Sequence, residues 1–171
     1  RSAPARRGRR AGYAGAVAGR ETPATRAARQ AGIEHAVHEY AHDPAADSYA
    51  LEAAEALGLD PRRVFKTLVV DRDGELVVCI VPAADTLDLR ALGKRARMAP
   101  TARAERVTGY VAGGISPLGQ RRRLPTLLDE TALAHPTVFV SAGRRGLELE
   151  LAPGDLVALT GARVMPLRRP S

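Results

Sequence analysis

Apolar positions along this 171-residue chain recur first with a helical period, then in strand-like runs, then in a mixture of the two. Thr22-Pro23 joins a capping hydroxyl to a residue suited to the first helical turn. Ala24, Ala27, Ala28 and Ala31 then recur at helical spacing until Gly32, which predicts a helix. Residues 34 to 40 can alternate sides as a strand. Ser48 predicts the cap of a second helix, with Leu51, Ala54 and Leu57 on one face and Gly58 at its end. Asp60-Pro61 opens a short helical turn. Phe65 to Val70 and Glu75 to Val81 are apolar, β-branched runs joined by Asp71-Arg72-Asp73-Gly74, a predicted hairpin.

Beyond the hairpin, Asp88 predicts a capped helix through Leu89 and Leu92 to about Arg97, and Thr101 to Val107 a further one stopping at Gly109. Strands are expected at 124 to 128, 137 to 142 and 147 to 151. A helical turn from Asp155 to Leu159 and a last strand from Arg163 to Leu167 complete the series. Helices and strands do not alternate regularly, so the expected class is α+β. The architecture read from this order is a mixed, partly closed, barrel-like sheet flanked by helices. No repeat or linker divides residues 21 to 171, which read as one domain behind a head of residues 1 to 20.

Charge changes the picture once it is divided along the chain. The net +7 is almost entirely the head, where six Arg meet no acid; residues 21 to 171 carry 20 basic and 19 acidic groups. The head is Arg-, Ala- and Gly-rich and is expected to be disordered, a weak nucleic-acid arm at best. The remainder is nearly neutral, so attraction to a polyanion must come from local clustering. Two Phe, four Tyr and no Trp argue against a protein that stacks many bases on aromatic platforms. No run approaches the ~20 apolar residues of a membrane span, and nothing has the form of a secretory signal. The single Cys79 cannot form an internal disulfide. A cytoplasmic location without membrane contact is the expectation.

Of 26 basic residues only Lys66 and Lys94 are lysine. Lys66 stands inside the apolar run VFKTLVV, where the residues on either side face the core and its own side chain takes the opposite face. A compact ammonium there is not interchangeable with a forked guanidinium, although a solvated strand lysine satisfies the same pattern. The segment TGYVAGGISPLG, residues 108 to 119, frees the backbone at Gly109, Gly113, Gly114 and Gly119 to approach a ligand and present N–H groups to an oxyanion or phosphate. It has neither the P-loop nor the dinucleotide spacing, and a tight structural turn is the alternative. Arg121, Arg122 and Arg123 follow at once. SAGRRG, residues 141 to 146, reads as a hairpin turn. His35, His38 and His42 lack the Cys or carboxylate partners of a zinc set, so neither metal nor cofactor is expected. Ser116 lacks a nucleophile elbow, and Cys79 reads as an inert core residue.

Taken in order, TPATRAARQAGI, HEYAHDP, DPRRVFKTLVV, TGYVAGGISPLGQRRRLPTLLD and SAGRRGLELELAPGDL resemble the YbaK family of aminoacyl-tRNA deacylases, relatives of the editing domain of bacterial prolyl-tRNA synthetases. The likeness runs from about Thr22 to Arg168. It implies catalytic roles for Lys66, in the K-T-L motif, and for Gly113, first glycine of G-G-I-S-P. It implies substrate contacts from Tyr40, Tyr49, Gly114, Ile115, Ser116, Ser141 and Gly143. Tyr49 stands where the family commonly has Phe, Ala142 and Arg144 replace Gly and Lys of S-G-G-K-R-G, and Glu148 replaces a frequent Asp.

The activity implied is hydrolysis of cysteine misattached to proline tRNA, with the substrate thiol as the nucleophile. The partners implied are the aminoacyl-tRNA acceptor end and a prolyl-tRNA synthetase, with the protein a monomer or weak homodimer. A deacylase for another small amino acid, and a non-catalytic module that binds tRNA ends or a synthetase, remain open on the same residues.

Overall fold

The computed structural model describes residues 20–169, so residues 1–19 of the basic head lie outside it. Helices α1 (Pro23–Gln30), α2 (Tyr49–Ala56), α3 (Thr101–Thr108) and α4 (Pro153–Thr160) accompany eight strands in two sheets. One sheet is antiparallel and joins β1 (His35–Glu39), β7 (Leu147–Leu151) and β6 (Val138–Arg144) in that order. The other is mixed, in the order β4 (Ala96–Met98), β2 (Phe65–Arg72), β3 (Glu75–Pro82), β5 (Thr126–Asp129), β8 (Arg163–Met165), with β5 parallel to both its neighbours. A single bridge from Val64 to Phe139 ties the sheets at one corner, and the two do not close into a barrel.

Local chemistry explains the elements. The Thr22 hydroxyl accepts from the Thr25 amide and the Thr25 hydroxyl accepts from the Thr22 amide, a reciprocal cap that starts α1 at Pro23. Ser48 caps α2 through the Leu51 amide. The β2–β3 hairpin is fixed by Asp71, whose carboxylate accepts from the Gly74 amide at 2.7 Å and pairs with Arg97 and Arg103 at 3.2 and 3.3 Å.

The five-stranded sheet is covered on both faces. Phe65, Val69, Val78 and Ile80 point into the larger core, with Val140, Leu147 and Leu149 of the other sheet, Ala24 and Ala28 of α1 and Leu156 of α4. Val70, Val77, Cys79 and Val81 face a second core closed by Leu87, Leu92 and Leu167. Each such aliphatic side chain contributes roughly 1.5–3 kcal/mol on burial. Burial pushes the Cys79 thiol up to about 12, and it is inert packing. Ala53 and Ala54 seat α2 on Val64 and Phe139, at the corner where the sheets meet.

Three expectations need correction. The helix read from Asp88 to about Arg97 is a 3-10 turn, Leu89–Leu92, stopped by Gly93 at φ 128; residues Ala96–Met98 then add β4 to the edge of β2, held by Arg97 on Asp71. The turn expected from Asp155 is the full helix α4, entered through Pro153. Leu51 does not share the buried face of α2: it is 40% exposed, and the helix packs through its alanines instead.

Candidate functional site

One cleft of about 250 Å³ opens where α2, the start of β2, the 109–119 loop and strands β6 and β7 of the smaller sheet converge. Its walls include Tyr49, Lys66, Thr67, Gly113, Ile115, Ser141 and Glu148. Lys66 and Gly113, 47 positions apart in sequence, therefore share a cavity.

Alternation along β2 sends Phe65 and Val69 into the larger core and Lys66 to the other face, beside Leu68 and Val70. That face is packed too, so the Lys66 ammonium is half-buried. It donates to the Asp85 carbonyl at 2.6 Å and the Ala83 carbonyl at 3.4 Å. An ammonium has three protons, and two are thereby spent on fixing it, leaving one for a ligand. Burial lowers its pKa and Asp85 opposes that shift.

Gly113 has φ 84, a conformation L side chains rarely adopt, and it is also closely approached. A Cβ there would lie 2.6 Å from the Tyr49 ring and 2.9 Å from Arg145 Nε. Arg145 stacks its guanidinium 4.8 Å over the Tyr49 ring and donates through Nε to the Ala112 carbonyl at 2.8 Å. The N-terminus of α2, the glycine loop and the β6–β7 turn are thus interlocked at the cleft. Within the loop, the Ala112 amide donates to Glu105 and the Gly114 amide to the Val111 carbonyl. The Gly113 and Ile115 amides, on the cleft wall, find no acceptor among the described residues.

Glu148 forms the buried end of the cleft. It stands on β7 directly across from Ser141 of β6, is 6% exposed, and its Oε2 has no hydrogen-bond partner among the described residues. Removal from water pushes its carboxyl up to about 8, so the acid is largely neutral at pH 7. Thr67 Oγ1, on the same cleft wall, is also buried without a partner. Two polar groups without a protein partner at one cavity leave it able to take a polar ligand or water.

Of the residues expected at the site, Lys66, Gly113, Tyr49, Ile115 and Ser141 line the cleft. Tyr40 stands behind it: burial and the nearby Glu148 push its phenol up to about 12. Gly114 allows the loop to touch the backbone of Arg144 and Arg145, where a Cβ would meet main chain at 3.0 Å. Gly143 lies against the Tyr110 ring and Thr22 within the β6–β7 hairpin. Ser116 is fully buried, its hydroxyl accepting from the Leu118 amide, and does not reach the cleft. Thr67, Arg145 and Glu148 are the site residues that sequence reasoning passed over or left without a role. The strict alternation of LELEL does put Glu148 on a shared face with Glu150, but it carries no sign that this face is covered.

A family model for the aminoacyl-tRNA editing domain matches residues 43–159, a span that contains every residue named on the cleft wall. The chain belongs to the aminoacyl-tRNA editing domain family. Release of an amino acid from its ester to tRNA is accordingly its class of activity. EbsC of Enterococcus faecalis, whose name assigns it to Cys-tRNA(Pro)/Cys-tRNA(Cys) deacylation, is 36% identical over 150 residues, covering 84% of this chain and 90% of that protein. YwhH of Bacillus subtilis is 30% identical over 118 residues, 66% of this chain and 75% of its own. Among solved structures, one described as a trans-editing enzyme for prolyl-tRNA synthetase superposes with TM-score 0.72 at 30% identity, covering 88% of this chain and 99% of the other. The hypothetical protein APE2540 gives TM-score 0.76 at 25% identity, over 86% and 100%.

Among the described residues no group of three or more His, Cys, Asp or Glu is placed to hold a metal ion, and no helix is long and apolar enough to cross a membrane.

Proposed function

We propose that this editing-family chain hydrolyses cysteine esterified to proline tRNA, acting in trans on the free aminoacyl-tRNA, with residues 21 to 171 as the editing unit. The observation that carries the reading is the shared cleft: one fixed ammonium, two unspent amides and a neutral buried acid line a cavity of about 250 Å³. The name of EbsC points to the same substrate.

In this reading the substrate supplies the nucleophile. The cysteinyl thiolate attacks its own ester carbonyl, a carbon–sulfur bond forms, the bond from that carbon to the ribose oxygen breaks, and the ribose oxygen takes up a proton. The products are a four-membered thiolactone, which water opens to cysteine, and tRNA. The protein has to orient the ester and stabilise the charge that develops on the carbonyl oxygen. The Gly113 and Ile115 amides fit the oxyanion. The remaining proton of Lys66 fits the terminal ribose or its phosphate, and Glu148 with Thr67 fits the α-amino end of the aminoacyl group. A synthetase partner and a cytoplasmic location accord with this role.

The test is deacylation of Cys-tRNA(Pro) beside Ser- and Ala-tRNA(Pro). Wild type should release cysteine fastest, and Lys66→Ala should fall to the uncatalysed rate. Lys66→Arg should be crippled, because a planar fork cannot donate to the Ala83 and Asp85 carbonyls from the same point. No acceleration by wild type, or full activity in Lys66→Ala, overturns the proposal. Equal rates on Cys and Ala esters would remove the thiol from the mechanism, and the hydroxyl of Tyr49 favours a search among other small esters in that event.

A further inference from the structure

The described residues include nineteen arginines, and about half of them are neutralised by a neighbour. Ten arginines lie within 4.0 Å of a carboxylate. Of the nine described arginines that do not, Arg106, Arg121, Arg122 and Arg123 stand together in one group. All four are exposed, and none has a carboxylate within salt-bridge distance among the described residues.

Their grouping is built into the fold. The Arg121 and Arg122 amides donate to the carbonyls of Thr108 and Val107, pinning this loop to the end of α3, whose last turn carries Arg106. The Arg121 guanidinium donates to the Arg106 carbonyl at 3.4 Å, and its side chain packs on Gly109, the left-handed residue that ends α3. Arg123 reaches Gly161, which ends α4 in the same conformation. Two helix C-termini, each equivalent to about half a negative charge, hold the group together. They offset only part of four positive charges, so a positive surface remains facing solvent on a body that is otherwise nearly neutral.

Position gives this surface its partner. Gly109, on which Arg121 packs, precedes Gly113 of the cleft by four residues, so at most about 14 Å of chain separates the two. A polymer whose 3′ end enters the cleft brings its next phosphates to that distance. We propose that Arg106, Arg121, Arg122 and Arg123 form the surface that takes the sugar-phosphate backbone of the tRNA acceptor arm. The inference rests on the editing reading of the cleft for its geometry, but its binding test does not depend on turnover.

The experiment measures binding of uncharged tRNA to the full chain by fluorescence anisotropy across a salt series, for wild type and for Arg106→Ala/Arg122→Ala/Arg123→Ala. Arg121 is kept because it also closes the end of α3. Removing one arginine that neutralises a phosphate should lower the slope of log affinity against log salt by about 1. The triple variant should therefore bind at least tenfold more weakly at low salt, with a slope smaller by about 2 to 3. A charge-matched control, Arg26→Ala/Arg62→Ala/Arg95→Ala, removes three arginines that already have carboxylate partners and should weaken binding less than threefold. An unchanged slope in the first variant, or an equal loss in the control, overturns the proposal.

A second arm compares kcat/KM for full-length Cys-tRNA with that for 3′-cysteinyl-adenosine, a substrate too short to reach the arginines. The ratio should fall at least tenfold in the triple variant, and an unchanged ratio counts against the surface. Should wild type hydrolyse neither ester, the cleft reading fails on its own, while the binding series still decides the arginine surface.

Discussion

Glu148→Gln replaces a buried acid by a neutral group of nearly the same shape, and its effect on stability follows from the position of the carboxyl. Confinement in the cleft raises its pKa from the ordinary 4.5 to about 8, so between those values the folded chain holds a proton that the unfolded chain has released. A state that binds more protons is favoured at low pH. Wild-type stability is therefore fully retained below about pH 4.5, declines as pH rises, and levels off above about pH 8. At about 1.4 kcal/mol for each pH unit, the decline sums to about 5 kcal/mol. Gln binds no proton and escapes it.

The unfolding free energy of Glu148→Gln minus that of wild type should thus climb by several kcal/mol from pH 5 to pH 9, most steeply between pH 5 and pH 8. The amide also introduces buried donors, and if these lack partners they cost about 1–3 kcal/mol, but equally at every pH. The offset moves the difference curve vertically and leaves its slope intact. Urea unfolding of both proteins at five pH values reads that slope through the midpoints. Curves that stay parallel within about 0.5 kcal/mol would mean that Glu148 ionises in the fold as it does in water, and would remove the neutral acid from the cleft.

Gly113→Ala should reduce kcat/KM for deacylation at least a hundredfold, because the new methyl meets the Tyr49 ring and must displace the loop or the aromatic wall by a distance orientation does not tolerate. The left-handed backbone adds about 1–3 kcal/mol of destabilisation, visible in Tm, and a variant that keeps wild-type kcat/KM refutes the close approach. Asp71→Ala should cost about 2–3 kcal/mol through loss of the Gly74 turn and of the arginine anchors of β4, while activity per folded molecule is kept; loss of activity without loss of stability would contradict the assignment. Because the Gly74 amide and both arginines hold the Asp71 carboxyl below its usual range, its contribution is present at neutral pH and fades on acidification.

Local rules made much of this fold legible. Capping residues start α1 and α2, glycine ends α3, and uninterrupted apolar runs mark the β2–β3 hairpin, which is covered on both faces. The misread segment, residues 88 to 97, contains a capping Asp and two leucines at helical spacing. Its fate is decided by Gly93 and by a carboxylate 26 positions earlier that draws Arg97 into a sheet edge. Lys66 stood out because lysine is rare here and its strand apolar, and the glycine loop because its residues have little side chain to protect. Glu148 did not, since its neighbours Leu147 and Leu149 look the same whether the opposite face is wet or dry. What dries that face is the cleft closed by α2 and the glycine loop, tens of positions away in sequence.

The size of the cleft is consequently a property of backbone as much as of side chains. At Gly113 the main chain itself meets Tyr49, and at Gly114 it meets the main chain of the β6–β7 turn, so the loop cannot move inward, and Arg145 keeps it from moving outward by holding the Ala112 carbonyl. Lys66 is fixed in the same manner, its amine tied to two carbonyls just beyond β3. A site whose charged and N–H groups are immobilised in this way has little reorganisation left to do when negative charge appears on an ester oxygen, which is where preorganised electrostatics contributes most. It also follows that selectivity among amino acids has few places to reside. With the backbone wall and the amine locked, the cavity varies through the side chains that line it, Tyr49, Thr67, Leu68, Ile115, Ser141 and Glu148 among them, and a change of substrate in a relative of this chain should be sought at those positions.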